Sequence, residues 1–218
     1  IDGIFITHEH ADHIAGLGVL SRKYEVPIYA TKGTIEAIRK STSVGKIPED
    51  LFHAISPDEK LMIKDICCNP MRISHDAADP VAYRFAHGRK KAAIVTDLGN
   101  YNDYTVESLK GMDALLLEAN HDINMLQVGP YPYYLKQRIL GDKGHLSNER
   151  AGQLLTRLIH DDLQAVLLGH LSKENNMPEL AYEAVRVEMT MADESIAVRD
   201  LPMQVARRNE AVSYTHLR

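Results

Sequence analysis

The sequence has no long apolar run and little cysteine. Its longest uninterrupted apolar stretches, such as 114–117, span only a few residues, whereas a membrane-spanning helix needs roughly 18–20. The two cysteines, Cys67 and Cys68, are adjacent, and adjacent cysteines rarely form a structural disulfide. The sequence therefore predicts neither a membrane segment nor a disulfide framework, and we expect a cytoplasmic protein with free thiols.

An excess of positive charge is also absent. The 25 lysines and arginines are outnumbered by 30 aspartates and glutamates, which gives a formal net charge of −5. A mildly acidic chain is not an obvious electrostatic partner for nucleic acid, although bound divalent metals would change the balance locally. The 218 residues suit one large domain or two small ones, and we find no internal repeat. The unusual feature is the presence of 11 histidines.

Short apolar strands and amphipathic helices are predicted along the chain. The helix over 148–163 is indicated most clearly, because apolar residues recur at i, i+3, i+4, i+7 and i+8 from Ala151. The predicted strands are 1–7, 27–30, 61–63, 65–68, 71–73, 81–86, 92–96, 114–117 and 165–168, and the other predicted helices are 31–40, 104–110, 133–140 and 178–189.

Four of the predicted strands run into a polar residue that can bind a metal. These residues are His8, Asp97, Glu118 and His170. Ligand sites in layered α/β proteins gather at strand ends. Because a core strand fixes the direction of the side chain just beyond it, we expect these four side chains to converge.

The most specific pattern is Thr-His-x-His-x-Asp-His at residues 7–13. His8 and His10, separated by one residue, can face the same way and bind one metal through neutral imidazole nitrogens. Asp12 and His13 can point toward a second metal, and two metals roughly 3.5–4 Å apart suit the hydrolysis of phosphate esters. The remaining ligand candidates are His75, Asp97 and His170. The alternative interpretation is a solvated polar loop.

These residues resemble the metallo-β-lactamase superfamily. The motif at 7–13 is similar to the signature of that superfamily, and Ser74-His75-Asp76, Thr96-Asp97 and Gly169-His170 are similar to its later motifs in order and spacing. The resemblance implies an α+β fold, the αββα sandwich, lacking its first strands. We expect this domain over residues 1–206 and a disordered or non-native tail over 207–218.

The same resemblance implies a ligand set for two divalent metal ions, zinc or manganese. A hydroxide between the metals would be the nucleophile. By resemblance, one metal is held by His8, His10 and His75, the other by Asp12, His13 and His170, and Asp97 bridges them.

Within the superfamily, the chain is similar to the bacterial YycJ (WalJ) branch, which is described as exonuclease-like. The resemblance implies that Glu118 and His145 act as a proton-donor pair, with Asp12 as a further catalytic candidate. Our hypothesis is that His145, oriented by Glu118, protonates the leaving oxygen. The alternative is that Glu118 is a helix-cap or surface carboxylate and His145 a loop residue.

The sequence thus favours a dinuclear metal-dependent hydrolase, a phosphodiesterase or nuclease acting on DNA or RNA. A small-molecule hydrolase for a thioester, lactone or cyclic phosphate remains open, as does a metal-binding regulatory module without turnover. Tyr131, Tyr133 and Tyr134 can stack on a base, although such clusters more often pack against a neighbouring helix. The oligomeric state stays open.

Overall fold

The computed structural model describes residues 1–192 and 201–207. Contacts divide the chain into two compact units. The first is formed by Ile1–Arg72 and Asp76–His87, and the second by Ile73–His75 and the described residues from Gly88 onward. The single domain expected over 1–206 stays a prediction, and the tail expected over 207–218 lies, apart from Arg207, outside the described residues.

The first unit begins with a small parallel sheet and the helices that cover it. Its apolar residues, among them Ile14, Ile28 and Ile38, form one buried cluster. The predicted strand at 1–7 is only two residues long in the structure, and Ile6 and Thr7 separate it from His8. In order β1-β2-β3, the strands are β1 Ile4–Phe5, β2 Ile28–Thr31 and β3 Phe52–Ile55, and the helices are α1 Ala11–Ile14, α2 Leu17–Tyr24 and α3 Lys32–Lys40.

The rest of the first unit is an antiparallel meander of β4 Leu61–Ile63, β5 Ile66–Arg72 and β6 Val81–His87. The two strands predicted at 65–68 and 71–73 are wrong as separate elements, because β5 runs through Pro70. Strand β4 pairs only with Ile66–Cys68 of β5. Pro70, which has no backbone N–H group, therefore lies outside the segment of β5 that bonds to β4, and the strand can run through it.

A parallel sheet in the order β7-β8-β9-β10 forms the centre of the second unit. Its strands are β7 Lys90–Val95, β8 Ala114–Glu118, β9 Ala165–Gly169 and β10 Met203–Val205. In register, Val95 lies opposite Leu117, which lies opposite Leu168, and all three are fully buried. Because the strands are parallel and in register, Asp97, Glu118 and His170, which lie at or just beyond the C-terminal ends of β7, β8 and β9, are at the same end of the sheet.

The helices of the second unit are α4 Asp103–Leu109, α5 Ile123–Val128, α6 Tyr133–Leu140, α7 Asn148–Thr156 and α8 Pro178–Ala192. The prediction that α7 continues to Leu163 is wrong. The amides of Leu158 and Ile159 both donate to the carbonyl of Leu155, at 2.9 and 3.0 Å, so the last turn tightens and ends. His160 then bonds to the carbonyl of Met112 at 3.0 Å, which directs the chain away from the helix axis.

Helices α7 and α8 pack closely at Gly152. A Cβ atom at this position would lie 2.6 Å from Cβ of Glu188, so only glycine permits the approach. Over the described ranges 1–192 and 201–207, none of the helices combines the length and hydropathy that crossing a bilayer requires.

Candidate metal centre

In the first unit, the hydroxyl of Thr7 lies between two rings of the histidine motif. Its Oγ1 atom is 3.1 Å from Nδ1 of His8 and 3.3 Å from Nδ1 of His13. A hydroxyl carries a single proton, so at least one of these rings must donate its Nδ1–H. A ring protonated at Nδ1 presents a lone pair at Nε2, which is the form in which histidine binds a metal.

The start of α1 positions the rest of this motif. His10 is the residue before the helix, and the amide of His13 donates to its carbonyl at 3.0 Å. The rings of His8 and His13 lie with their centroids 4.1 Å apart. The Asp12 side chain is 69% exposed, with a carboxylate oxygen 3.6 Å from Nε2 of His13. The four predicted ligands of the motif therefore lie within one short turn of chain.

In the second unit, two of the predicted ligands have an unusual backbone conformation. Asp97 follows β7 with φ of 59°, and His170 follows β9 with φ of 56°. Positive φ is uncommon outside glycine, and such residues cluster at functional sites. The left-handed turn redirects both side chains at the strand ends, and nothing in the sequence pattern predicted it.

The carboxylate of Glu118 is the centre of this cluster. The side chain is completely buried at the end of β8. Its Oε1 atom lies 2.9 Å from Nδ1 of His145 and 2.8 Å from Nδ1 of His170. Its Oε2 atom accepts the backbone amides of Leu98 at 2.8 Å and Leu146 at 3.1 Å. Glu118 is thus neither a surface carboxylate nor a helix cap.

The ionisation of this cluster follows from its contacts. Burial alone would raise the pKa of Glu118, but the hydrogen bonds and charges of His145 and His170 lower the pKa to about 2. Burial likewise opposes the charged form of His145, yet the bond to Glu118 and its negative charge outweigh burial and raise the pKa of His145. Since an ionised carboxylate only accepts hydrogen bonds, both histidines donate Nδ1–H to Glu118.

Asp97 lies near the Nε2 atoms of His170 and His75. Its Oδ1 atom is 3.5 Å from Nε2 of His170 and 3.7 Å from Nε2 of His75. Two ligands of one tetrahedral zinc, each about 2.0–2.1 Å from it, lie roughly 3.3 Å apart. The donor types and spacings of this unit therefore fit a divalent metal. Asp97, Glu118, His145 and His170 each offer a ligand atom within 4.8 Å of the others.

Two positioning features of the second unit were missed by sequence reasoning. Nδ1 of His75 lies 3.1 Å from the carbonyl oxygen of Gly144. A Cβ atom on Gly144 would lie 2.1 Å from the carbonyl oxygen of Ile139, so no other residue fits without a backbone shift. Glu118 also contacts His170, whereas only its pairing with His145 was expected. The sequence signal that could have indicated these contacts was the Gly-His pair at 144–145, which is the same as the pair at 169–170.

The tyrosines at the start of α6 and His121, in the loop after β8, differ in burial. Tyr133 and Tyr134 are 77% and 73% exposed, so the expected packing against a neighbouring helix is wrong for both. His121 is buried, with Nδ1 3.3 Å from Oδ1 of Asn120. Burial lowers the pKa of His121 to about 4, so its ring is neutral at physiological pH.

Comparison with known proteins places the chain in a family. Residues 1–171 match the beta-lactamase superfamily domain. The chain belongs to this superfamily. Exodeoxyribonuclease YycJ of Bacillus anthracis is 42% identical over 185 residues, which are 85% of this chain and 69% of that protein. Exodeoxyribonuclease WalJ of Streptococcus pneumoniae (serotype 2) is 40% identical over 198 residues, covering 91% of this chain and 74% of that protein.

Solved structures confirm the predicted α+β class of this superfamily member. The metallo-beta-lactamase fold protein YhfI from Bacillus subtilis superposes with a TM-score of 0.66 at 20% identity. The match covers 95% of this chain and 75% of YhfI. At this level of identity the match concerns the fold alone, and it confirms the metallo-β-lactamase fold that the motifs predicted.

Proposed function

We propose that the protein is a metal-dependent phosphodiesterase that cleaves DNA, as an exonuclease. The observation that carries the proposal is the buried Glu118 carboxylate, which bonds to Nδ1 of both His145 and His170. This arrangement supplies an oriented ligand and a candidate proton donor side by side. Membership of the superfamily and two relatives named as exodeoxyribonucleases support the choice of reaction.

The ligand assignment belongs to the same proposal. Two divalent ions, zinc or manganese, would supply Lewis acidity and lower the pKa of water at the site. Imidazole and carboxylate donors suit either metal. Thr7 and Glu118, which contact Nδ1 atoms of these histidines, support ligation through Nε2. The proposed ligands are His8, His10, Asp12, His13, His75, Asp97 and His170.

His145 is the proposed proton donor. Its Nδ1–H is held by Glu118, so the proton that it transfers must come from Nε2. The raised pKa of His145 increases the fraction that carries this second proton. The ring is partly exposed, with 21% of the side chain accessible to solvent. A leaving oxygen of the substrate can therefore approach Nε2 and take the proton as the ester bond breaks. Asp12, the other proposed catalytic candidate, is assigned here to metal ligation.

A small-molecule hydrolase is the second candidate function. The formal net charge of −5 favours it, because a polyanion gains no general attraction to an acidic protein. The same ligands and the same proton donor would then act on a compact ester that makes few contacts beyond the site. Net charge does not decide the question, since a local positive field at the metals would act on either substrate.

The test is a substrate panel for the protein loaded with Mn²⁺ or Zn²⁺. A labelled DNA duplex, a single-stranded RNA and a chromogenic bis-phosphodiester are compared at several salt concentrations. The proposal predicts metal-dependent shortening of the DNA, with an affinity that falls steeply as salt rises. Cleavage of the small ester alone, with little salt dependence, would establish the small-molecule hydrolase instead. No cleavage of any substrate despite bound metal would favour a regulatory module.

The compartment is also a proposal. Cys67 and Cys68 are both free thiols. Two cysteines without a disulfide framework fit a reducing environment, and we expect the protein to act in the cytoplasm.

A further inference from the structure

Three buried asparagine side chains connect the segments of the second unit that follow Glu118 and His170. Asn120 lies in the loop after β8, Asn148 in the first turn of α7, and Asn176 in the loop between β9 and α8. Each side chain is at least nine-tenths buried. A buried side-chain amide without hydrogen-bond partners destabilises a protein. The hydrogen bonds of these three side chains therefore explain why they can be buried.

Asn148 and Asn176 form a reciprocal amide pair. Nδ2 of Asn148 donates to Oδ1 of Asn176 at 3.0 Å, and Nδ2 of Asn176 donates to Oδ1 of Asn148 at 2.8 Å. Nδ2 of Asn176 also donates to the carbonyls of Ala119 at 2.9 Å and Asn120 at 3.0 Å. The pair therefore joins α7 and the loop after β9 to the two residues that directly follow Glu118.

Asn120 completes the connection to His170. Its Nδ2 donates to the backbone carbonyl of His170 at 2.9 Å, and its own carbonyl accepts the amide of Ser172 at 2.7 Å. These bonds hold both sides of the residue at which the chain adopts a φ of 56°. A non-glycine residue keeps such a conformation only where its surroundings fix it.

We propose that Asn120, Asn148 and Asn176 are positioning residues that set the orientation of the His170 ring toward its metal. The proposal rests on the metal-ligand role of His170 in the proposed function. Glu118 fixes one nitrogen of the ring, while the three amides fix the backbone from which the ring projects. Partners of this kind typically alter metal affinity by about 10- to 100-fold when removed.

The experiment uses Co²⁺ alone as the probe, because its visible absorption reports the ligand geometry without any substrate. Asn120→Asp keeps the size of the side chain but removes the donor to His170, and Asn120→Ala removes the whole amide. Asn175→Ala is the matched control, since Asn175 is a buried neighbour whose side chain bonds only to Ser172 in the described part of the chain. Thermal unfolding of each metal-free protein measures the structural effect separately.

We expect both Asn120 variants to bind Co²⁺ at least about 10-fold more weakly than wild type and to show shifted absorption bands. Asn175→Ala should keep the wild-type spectrum even where its stability falls. Folded Asn120 variants with wild-type affinity and spectrum would overturn the proposal, as would a wild-type protein that binds no Co²⁺. A wild type that binds Co²⁺ but cleaves no DNA refutes the proposed function, while the spectra still decide the role of Asn120.

Discussion

Oε1 of Glu118 lies 2.9 Å from Nδ1 of His145, and the carboxylate has no solvent access. The contact places the proposed proton donor beside a carboxylate whose pKa is lowered to about 2 by His145 and His170. Because the same oxygen also contacts His170, one buried group supports two histidines of different proposed roles. The consequences of this shared acceptor can be separated by substitution.

Replacing His145 with alanine should slow turnover without removing metal. General acid catalysis contributes about 10²- to 10⁴-fold, so a loss of that size in kcat is expected for DNA cleavage. Metal content, measured on the dialysed protein, should stay at the wild-type level. His87→Ala is the control, since His87 is exposed and paired with Asp65. An unchanged kcat in His145→Ala would refute the proton-donor role.

Replacing Glu118 with glutamine should destabilise the metal-free protein. The carboxylate uses one oxygen for two histidines and the other for the amides of Leu98 and Leu146. A glutamine side chain has a single acceptor oxygen, so two buried donors lose their partner, at about 1–3 kcal/mol each. Urea unfolding measures the difference. Glu107→Gln, at an exposed ion pair with Lys110, should change little, and equal stability of the two variants would contradict the account.

Gly144 should tolerate no side chain. Alanine there would place Cβ 2.1 Å from the carbonyl oxygen of Ile139 and 2.3 Å from that of Arg138. The backbone must shift, which typically costs about 1–3 kcal/mol, and the carbonyl that contacts His75 moves with it. Thermal unfolding and metal affinity should both fall. Gly16→Ala is the control, because a Cβ atom there meets nothing within 4 Å, and it should leave the unfolding temperature and the metal affinity unchanged. If Gly144→Ala also left both unchanged, the close approach at Gly144 would be unimportant.

We expect the exposed Tyr133 and Tyr134, at the start of α6, to stack on bases of bound DNA. The last turn of this helix contacts the loop that carries His145, because the amide of His145 donates to the carbonyl of Ile139 at 3.0 Å. Stacking contributes about 1–3 kcal/mol per base. The double variant Tyr133→Ser, Tyr134→Ser should therefore weaken single-stranded DNA binding at least about 5-fold.

Hydrolysis of a small phosphodiester should be unaffected by this double variant, since the tyrosines would contact only a polymer. Tyr24→Ser serves as the control, because Tyr24 is an exposed tyrosine at the end of α2, outside α6. Fluorescence anisotropy measures the DNA affinity of all three proteins. Equal DNA affinities of the wild type and the double variant would show that Tyr133 and Tyr134 do not contact DNA.

The sequence predicted helices and strands where the signal is local. The helix predicted at 133–140 matches α6, and the strands leading to Asp97, Glu118 and His170 are neighbours in a parallel sheet. Apolar runs that end in a metal-competent residue predict this arrangement, because parallel strands in register bring their ends together.

The sequence could not predict what depends on contacts between distant residues. Glu118 and His170 are 52 positions apart, and Asn120 reaches the His170 carbonyl across 50 positions. The positive φ of Asp97 and His170 also depends on such contacts, since both residue types prefer other conformations in isolation. The early end of α7 has the same origin, because a bond from His160 to Met112 redirects a segment whose apolar spacing still favours helix.

The most direct test of the proposed nuclease is metal restoration. The chelated, metal-free protein is mixed with a labelled DNA duplex, and Mn²⁺ is added in steps to wild type and to Asp97→Ala. We expect no cleavage without metal, progressive shortening of the DNA as Mn²⁺ binds to wild type, and no recovery in Asp97→Ala. Equal cleavage by Asp97→Ala, or by the chelated wild type, would refute the proposed metal-dependent nuclease.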